Sequence, residues 1–273
     1  MIKFFSLKRS TYYYIVSSFN KEDKDKHIKD KIKEIFDENH SRYGYRRITL
    51  ALQKEMPINH KKVKRIMKEL GLFGLQPKAK YKSYKGELSK ACDNHLLIDG
   101  SRDFSTTSFN EKWTTDVSEF HISSGKLYLS PILDMHNREI ISYSVSRSPN
   151  FNQTLDMINK AFSKYTNLNG LIFHSDQGWQ YQMYTYKKLL KDKGIIQSMS
   201  RKGNCLDNSL MENFFGVMKK EMFYGHEYEF KTLDDLEKSI DDYIEYYNKQ
   251  RITVKLKGLS PYEYRQQSLN VLS

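Results

Sequence analysis

The chain has 273 residues, 38% apolar and 14% aromatic, enough to bury a core in one large domain or in two to three small ones. Its net charge of +12 favours a polyanionic partner, nucleic acid first and an anionic membrane surface second. Two cysteines, Cys92 and Cys205, exclude a disulfide framework and a four-thiolate zinc site, and no apolar run reaches the ~20 residues that span a bilayer.

The first residues, MIKFFSLKRSTYYY, hold too short an apolar run for a secretory signal, so a cytoplasmic location with no membrane partner is expected. Residues 1–26 read as a separate segment ending in the charged run NKEDKDK, a loop or the start of a solvated helix. Ile28, Ile32, Ile35 and Phe36 fall at helical spacing over 27–38. Gly44 marks a turn, followed by Arg46, Arg47 and the apolar Ile48, Leu50 and Leu52. Asn59 is a fair N-cap for HKKVKRIMKELG, where Val63, Ile66, Met67 and Leu70 make one stripe and Gly71 a stop. Lys61, Lys62, Lys64, Arg65 and Lys68 fill the rest of that helix. Two short helices with a basic second one, after a turn, are what a helix-turn-helix needs to enter a groove of DNA, although a solvated face shows the same pattern. Residues 27–75 are therefore expected to be a small all-α DNA-binding domain, with Arg46, Arg47 and the five basic residues of the second helix as DNA contacts.

Residues 76–110, with Pro77 and interleaved Lys and Tyr (QPKAKYKSYKGELSK), lack apolar periodicity and read as a basic linker able to track a phosphate backbone. Composition changes at Trp113. WTTDVSEFHI, KLYLSPILDM and EIISYSVS are strand-like runs separated by the turn signals SSG and MHNRE. A helix over 152–165, the strand LIFHSD (171–176), a helix over about 181–192, the strand IIQSMS (195–200) and a helix over 204–221 follow. This order predicts an α/β core over 111–225 with a mixed five-stranded sheet and flanking helices. A C-terminal helical extension, 226–273, carries Leu236, Ile240, Tyr243, Ile244 and Tyr247 on one helix.

Asp116 falls inside the first strand, where a charged residue needs a job or a partner. Asp176 ends the fourth strand, where open α/β sheets place their ligands. Read as a uniform helix, 204–221 puts Leu210, Phe214 and Val217 toward the core and Asn208, Glu212, Phe215 and Lys219 on the opposite face. If the first and fourth strands are neighbours, Asp116, Asp176 and Glu212 converge, and three such carboxylates repel unless cations neutralise them. Hard oxygen donors without a His or Cys cluster select Mg²⁺ or Mn²⁺, and a pair of such ions supports phosphoryl transfer. Glu119 and Asp134 are competing acids; Glu119 lies on the other face of its strand, and Asp207 lies away from the Glu212 face. Tyr181 and Trp179 either stack on a base or pack.

The ordered motifs WTTDVSEF, HSDQGWQY, GNCLDNSLMENFFGVMKKE, YIEYYNKQR and LKGLSPYEYR resemble the second-reading-frame (OrfB-type) transposases of bacterial insertion sequences, and 35 residues lie between Asp176 and Glu212 as in that family. HSRYGYRRITLALQ and INHKKVKRIMKELGL resemble the helix-turn-helix segment that precedes the catalytic core there. The resemblance, covering about 27–267, implies a retroviral-integrase-like DDE recombinase with a ribonuclease-H-like fold. It implies that Asp116, Asp176 and Glu212 are the catalytic, metal-binding triad. An activated water would cut a strand at the element's end, and the freed 3′-hydroxyl would attack target DNA. Asn208 and Lys219 match motif positions and are read as DNA-backbone or metal-shell residues; His174 and Gln177 flank the second aspartate as supporting residues at most. Thr253 stands where many relatives have histidine. The family also implies a homo-oligomeric active complex and a partner or fusion from an upstream (OrfA-type) frame, since no sustained heptads occur here. A non-catalytic DNA-binding protein and a nuclease alone are the other readings.

Overall fold

The computed structural model describes residues 8–19, 23–75, 92–201 and 204–272, and divides the chain into two units, Met1–Gly74 and Leu75–Ser273. The first unit holds α1 (Arg9–Phe19), α2 (Lys26–Glu38), α3 (Tyr45–Gln53) and α4 (His60–Glu69). A helix at α1 was not expected from the sequence. The apolar stripes of α2, α3 and α4 meet as predicted: Ile32, Phe36, Ile48, Leu52, Val63 and Ile66 are buried. Asn59 caps α4 by accepting a hydrogen bond from the Lys61 N–H at 2.9 Å. Gly71 stops it in the left-handed region, φ 67°, and lets the Leu72 N–H return to the Met67 carbonyl.

The second unit opens with a small hairpin, β1 (Leu97–Ile98) and β2 (Ser101–Arg102), which lies in the segment expected to be linker. Residues 92–110 are held on the core instead. Met199 N–H donates to the Asp93 carbonyl at 3.2 Å, His95 N–H to Ser198 Oγ at 2.9 Å, and Leu96 is buried. The basic run 76–91 lies outside the described residues.

The main sheet contains β3 (Lys112–Thr115), β4 (Ser118–Ile122), β5 (Gly125–Asp134), β6 (Ile140–Ser146), β7 (Ile172–Ser175) and β8 (Ile196–Met199). Between β6 and β7 runs α5 (Phe151–Lys164), capped by Asn150; between β7 and β8 run α6 (Trp179–Gln182) and α7 (Tyr184–Asp192). The first expected strand is broken in two. β3 and β4 both pair with β5 in one register, Thr115 opposite Ile132 and Ser118 opposite Leu129, leaving Asp116 and Val117 unladdered opposite Pro131 and Ser130. Pro131 has no N–H to give a neighbouring strand. Across the sheet there are thus the five expected positions, with β6 beyond β5 on one side and β7 and β8, both parallel to β3, on the other.

A 3₁₀ turn (Cys205–Asn208) leads into α8 (Ser209–Met218), which passes into a π turn (Lys219–Phe223). Then come α9 (Leu233–Lys249) and α10 (Pro261–Leu272). One sheet face packs on α8 and α9 through Phe120, Leu127, Leu129, Met211, Phe214, Met218, Leu236 and Ile240; the other packs on α5 and α7 through Trp113, Ile132, Met157, Ile158, Phe173 and Leu190. The expected C-terminal extension is therefore part of the core, and each fully buried aromatic or aliphatic side chain there contributes about 1.5–3 kcal/mol of transfer free energy. Among the described residues, no helix is long and apolar enough to cross a membrane.

Candidate active site

The parallel register sets Thr114 opposite His174; carried two residues further, it sets Asp116 opposite Asp176 at the C-terminal edge of β3 and β7. Neighbouring strands lie about 4.8 Å apart, so both carboxyls share one small region. Side-chain alternation puts Asp116 on the face of Thr114, the α8 face, while Thr115 faces Met157 of α5. The Val117 N–H donates to Asp116 Oδ1 at 2.7 Å, and the Gly178 N–H to Asp176 Oδ1 at 2.9 Å.

Burial pushes the Asp116 carboxyl up to about 7, helped by the charges of Asp176 and Glu212 and opposed by Lys219. Burial raises Asp176 as well. Glu212, half-buried near the start of α8, thus acts on the same spot. Among the described residues, no three His, Cys, Asp or Glu side chains close on one point tightly enough to hold an ion by themselves. The arrangement is a close aspartate pair with the glutamate acting through its charge, as mutual repulsion requires. The all-oxygen donor set, with burial and the neighbouring acids disfavouring the ionised form of Asp116, fits a hard divalent cation.

The competing acids are placed elsewhere. Asp134 sits at the opposite end of the sheet, opposite Trp113, where Arg265 binds it at 3.0 Å. Glu119 is exposed and pairs with Lys126 at 2.9 Å. Asp207 faces away from Glu212, as expected, into a nest of arginines.

Two expectations for the Glu212 helix are corrected. Phe215 is not on a polar face but 7% exposed, in the core cluster that α8 shares with the sheet and α9; Met211, Phe214, Phe215 and Met218 are the buried set, and Leu210 and Val217 are half-buried. Asn208 is not on a DNA-facing surface. It is 4% exposed, its Nδ2 donates to the Thr115 carbonyl at 3.1 Å and its Oδ1 accepts from Thr114 Oγ1. The turn at 205–208 rotates it away from the uniform-helix position. Lys219 donates to the Glu119 carbonyl at 2.7 Å and lies 4.9 Å from the Phe120 ring, and burial lowers its pKa.

His174 is buried between Ser198 and Ser200, 2.9 and 3.0 Å from their hydroxyls, and burial drops it to about 4. Gln177 donates to the Ser200 carbonyl at 3.1 Å. Tyr181 packs in the core, whereas Trp179 is 54% exposed. In the first unit, Lys61, Lys64, Lys68 and Arg46 are exposed, and Lys61, Lys64 and Lys68 share the α4 face opposite Val63 and Ile66. Lys62 and Arg65 are instead paired with Asp25 at 2.8 and 2.7 Å, and Arg47 lies over the Tyr43 ring. Those three side chains are engaged within the unit, and Arg46 and Lys64 also lie over the Tyr45 ring, with Arg46 donating to its hydroxyl at 3.2 Å.

Residues 107–205 and 212–269 each match an integrase core domain family, and residues 22–80 match an HTH-like domain. Together with the fold, these matches define a polynucleotidyl transferase of the DDE transposase/integrase class. The InsK protein of insertion sequence element IS150 from Escherichia coli (strain K12), described as a transposase, is 49% identical over 96% of this chain and 91% of its own length. A transposase-like protein of Haemophilus influenzae is 54% identical over 82% of this chain and 100% of its own. The transposase of IS904 from Lactococcus lactis is 33% identical over 87% of this chain and 92% of its own. The chain belongs to the insertion-sequence transposases.

Proposed function

We propose that this protein cuts a DNA strand at the ends of its insertion sequence and joins the freed 3′-hydroxyl to target DNA, with Asp116, Asp176 and Glu212 as the acids that hold divalent ions. The observation that carries this reading is that two half-buried aspartates lie level with one another just beyond a parallel ladder, with Glu212 and Lys219 acting on the Asp116 carboxyl. Bound by these acids, Mg²⁺ or Mn²⁺, two ions in this reading, supplies water activation and stabilisation of the leaving oxygen.

The chain's own residues do the positioning. The Val117 and Gly178 N–H groups fix one oxygen of each aspartate before substrate arrives. Lys219 holds positive charge beside Asp116, where a phosphate would lie. Lys61, Lys64, Lys68 and Arg46 offer the first unit's exposed charge to the DNA backbone. The active complex is read as a homo-oligomer that acts with an upstream-frame partner or fusion.

The test is cleavage and joining of labelled DNA carrying the element's ends, in Mg²⁺ or Mn²⁺, with wild type and Glu212→Gln, each alone and fused to the upstream frame. Metal-dependent products that vanish in the variant while DNA binding persists support the reading. DNA binding without product from any wild-type form would replace it with a non-catalytic DNA-binding role.

A further inference from the structure

Asp207 and Asn208 are adjacent buried polar residues in the turn that leads into α8, and they reach opposite ways. Asn208 ties this turn to the end of β3: it accepts from Thr114 Oγ1 and donates to the carbonyl of Thr115, the residue before Asp116. Asp207 ties the turn to two other segments. Its Oδ1 accepts from Arg102 Nε at 2.8 Å and Arg201 Nη2 at 2.9 Å; its Oδ2 accepts from Arg201 N at 3.0 Å, Arg201 Nε at 2.9 Å and Asn94 Nδ2 at 3.0 Å. Arg102 also donates to the Asn204 side chain at 2.9 Å. Burial alone would raise the Asp207 carboxyl, but the arginines hold it at about 2, so it keeps its charge at any working pH.

That charge also acts on His174, two residues before Asp176 on β7. The pair therefore touches, directly or through one neighbour, each element that carries one of the three acids. Glu212 follows Asn208 by one helical turn, so a displaced Asn208 side chain carries the start of α8 with it.

We propose that Asp207 and Asn208 are positioning residues that set the spacing of Asp116, Asp176 and Glu212, and so the affinity of this sheet edge for divalent cations. The inference rests on the metal-binding reading of those three acids. Groups that orient ligands from behind change metal affinity about 10–100-fold when removed.

The experiment is direct Mn²⁺ binding, followed by electron paramagnetic resonance of free Mn²⁺, on the full chain. The variants are Asn208→Asp and Asp207→Asn, the milder Thr114→Val and Arg102→Gln, and the control Glu212→Gln. Far-UV circular dichroism and metal-free DNA binding by anisotropy report the fold. Folded variants that bind DNA as wild type does but take Mn²⁺ about tenfold more weakly, with cleavage recovering as Mn²⁺ is raised, bear the proposal out. Should Asn208→Asp or Asp207→Asn fail to fold, Thr114→Val and Arg102→Gln decide. Wild-type Mn²⁺ affinity in both of these overturns the proposal while the reading of the triad stands, provided Glu212→Gln binds weakly. A wild type that takes up no Mn²⁺ and cuts no DNA overturns both.

Discussion

Asp116 and Asp176 stand level with one another just past the ends of β3 and β7, each two residues beyond the paired Thr114 and His174. Sixty positions apart in sequence, they are brought side by side by a parallel register, and the backbone alone sets their separation before any side chain turns. Two half-buried carboxyls so placed are a standing electrostatic cost to the fold.

That cost gives opposite expectations for stability and activity. Asp116→Asn should abolish strand cleavage, by at least about 10³-fold for a lost metal-binding acid, yet raise metal-free stability by about 1 kcal/mol or more. Urea unfolding and the cleavage assay check it together. A variant that loses stability in the absence of metal contradicts the frustration assigned to this pair.

A pH dependence follows with a definite sign. Asp116 titrates near 7 in the fold against an ordinary value of 3.8, so the folded state prefers its protonated form. The stability this contributes is complete below about pH 4 and is lost as pH rises through 7. His174, depressed to about 4, gives the opposite slope below its ordinary 6.5. Comparing wild type with Asp116→Asn cancels the histidine and isolates the aspartate: the wild type's melting temperature should fall relative to that of Asp116→Asn as pH rises from about 5 to 7. Mg²⁺ should stabilise the wild type more at pH 8 than at pH 5.5, with about 2.7 kcal/mol at a concentration one hundredfold above Kd. Equal metal stabilisation at both pH values would count against proton–metal competition here.

Glu221 and Arg251 form a buried two-pronged pair, both bonds 2.8 Å, and the Tyr243 hydroxyl donates to the same carboxylate at 2.8 Å. Arg251→Met alone should cost about 3–5 kcal/mol, because it strands a buried charge, whereas Glu221→Met/Arg251→Met should lose much less. Denaturant unfolding of the single and double variants measures the difference; equal losses would mean the pair is not electrostatically closed.

In the first unit, replacing Lys61 and Lys68 with Ala should weaken DNA binding uniformly across sequences and reduce the salt slope by about 1 per lysine. Lys62→Ala should change the slope less, since Asp25 already pairs with it, and should instead cost some stability. Anisotropy titrations at several salt concentrations distinguish these. A larger slope change at Lys62 than at Lys61 would reverse the assigned face.

The parts legible in the sequence were those set by local periodicity and strand ends. The stripes of α2 and α4, the Asn59 cap and the position of Asp176 at a strand terminus all follow from spacing and turn chemistry. The face of Asn208 was not legible, because a 3₁₀ turn before α8 rotates it away from where a uniform helix puts it. The burial of Phe215 comes from the tertiary cluster that α8 forms with the sheet and α9, which no pattern within 204–221 records. The segment around Arg102 reads as linker by composition, and only the tertiary contact across 105 positions to Asp207 reveals that it belongs to the core.

The break in the first strand has a mechanical consequence. β5 runs unbroken past it and grips β3 on one side and β4 on the other in a single register, with Pro131 facing the gap. Asp116 and Val117 thus form a gap two residues long whose two ends are both anchored to one strand, so β5 holds the backbone that carries Asp116 from either side.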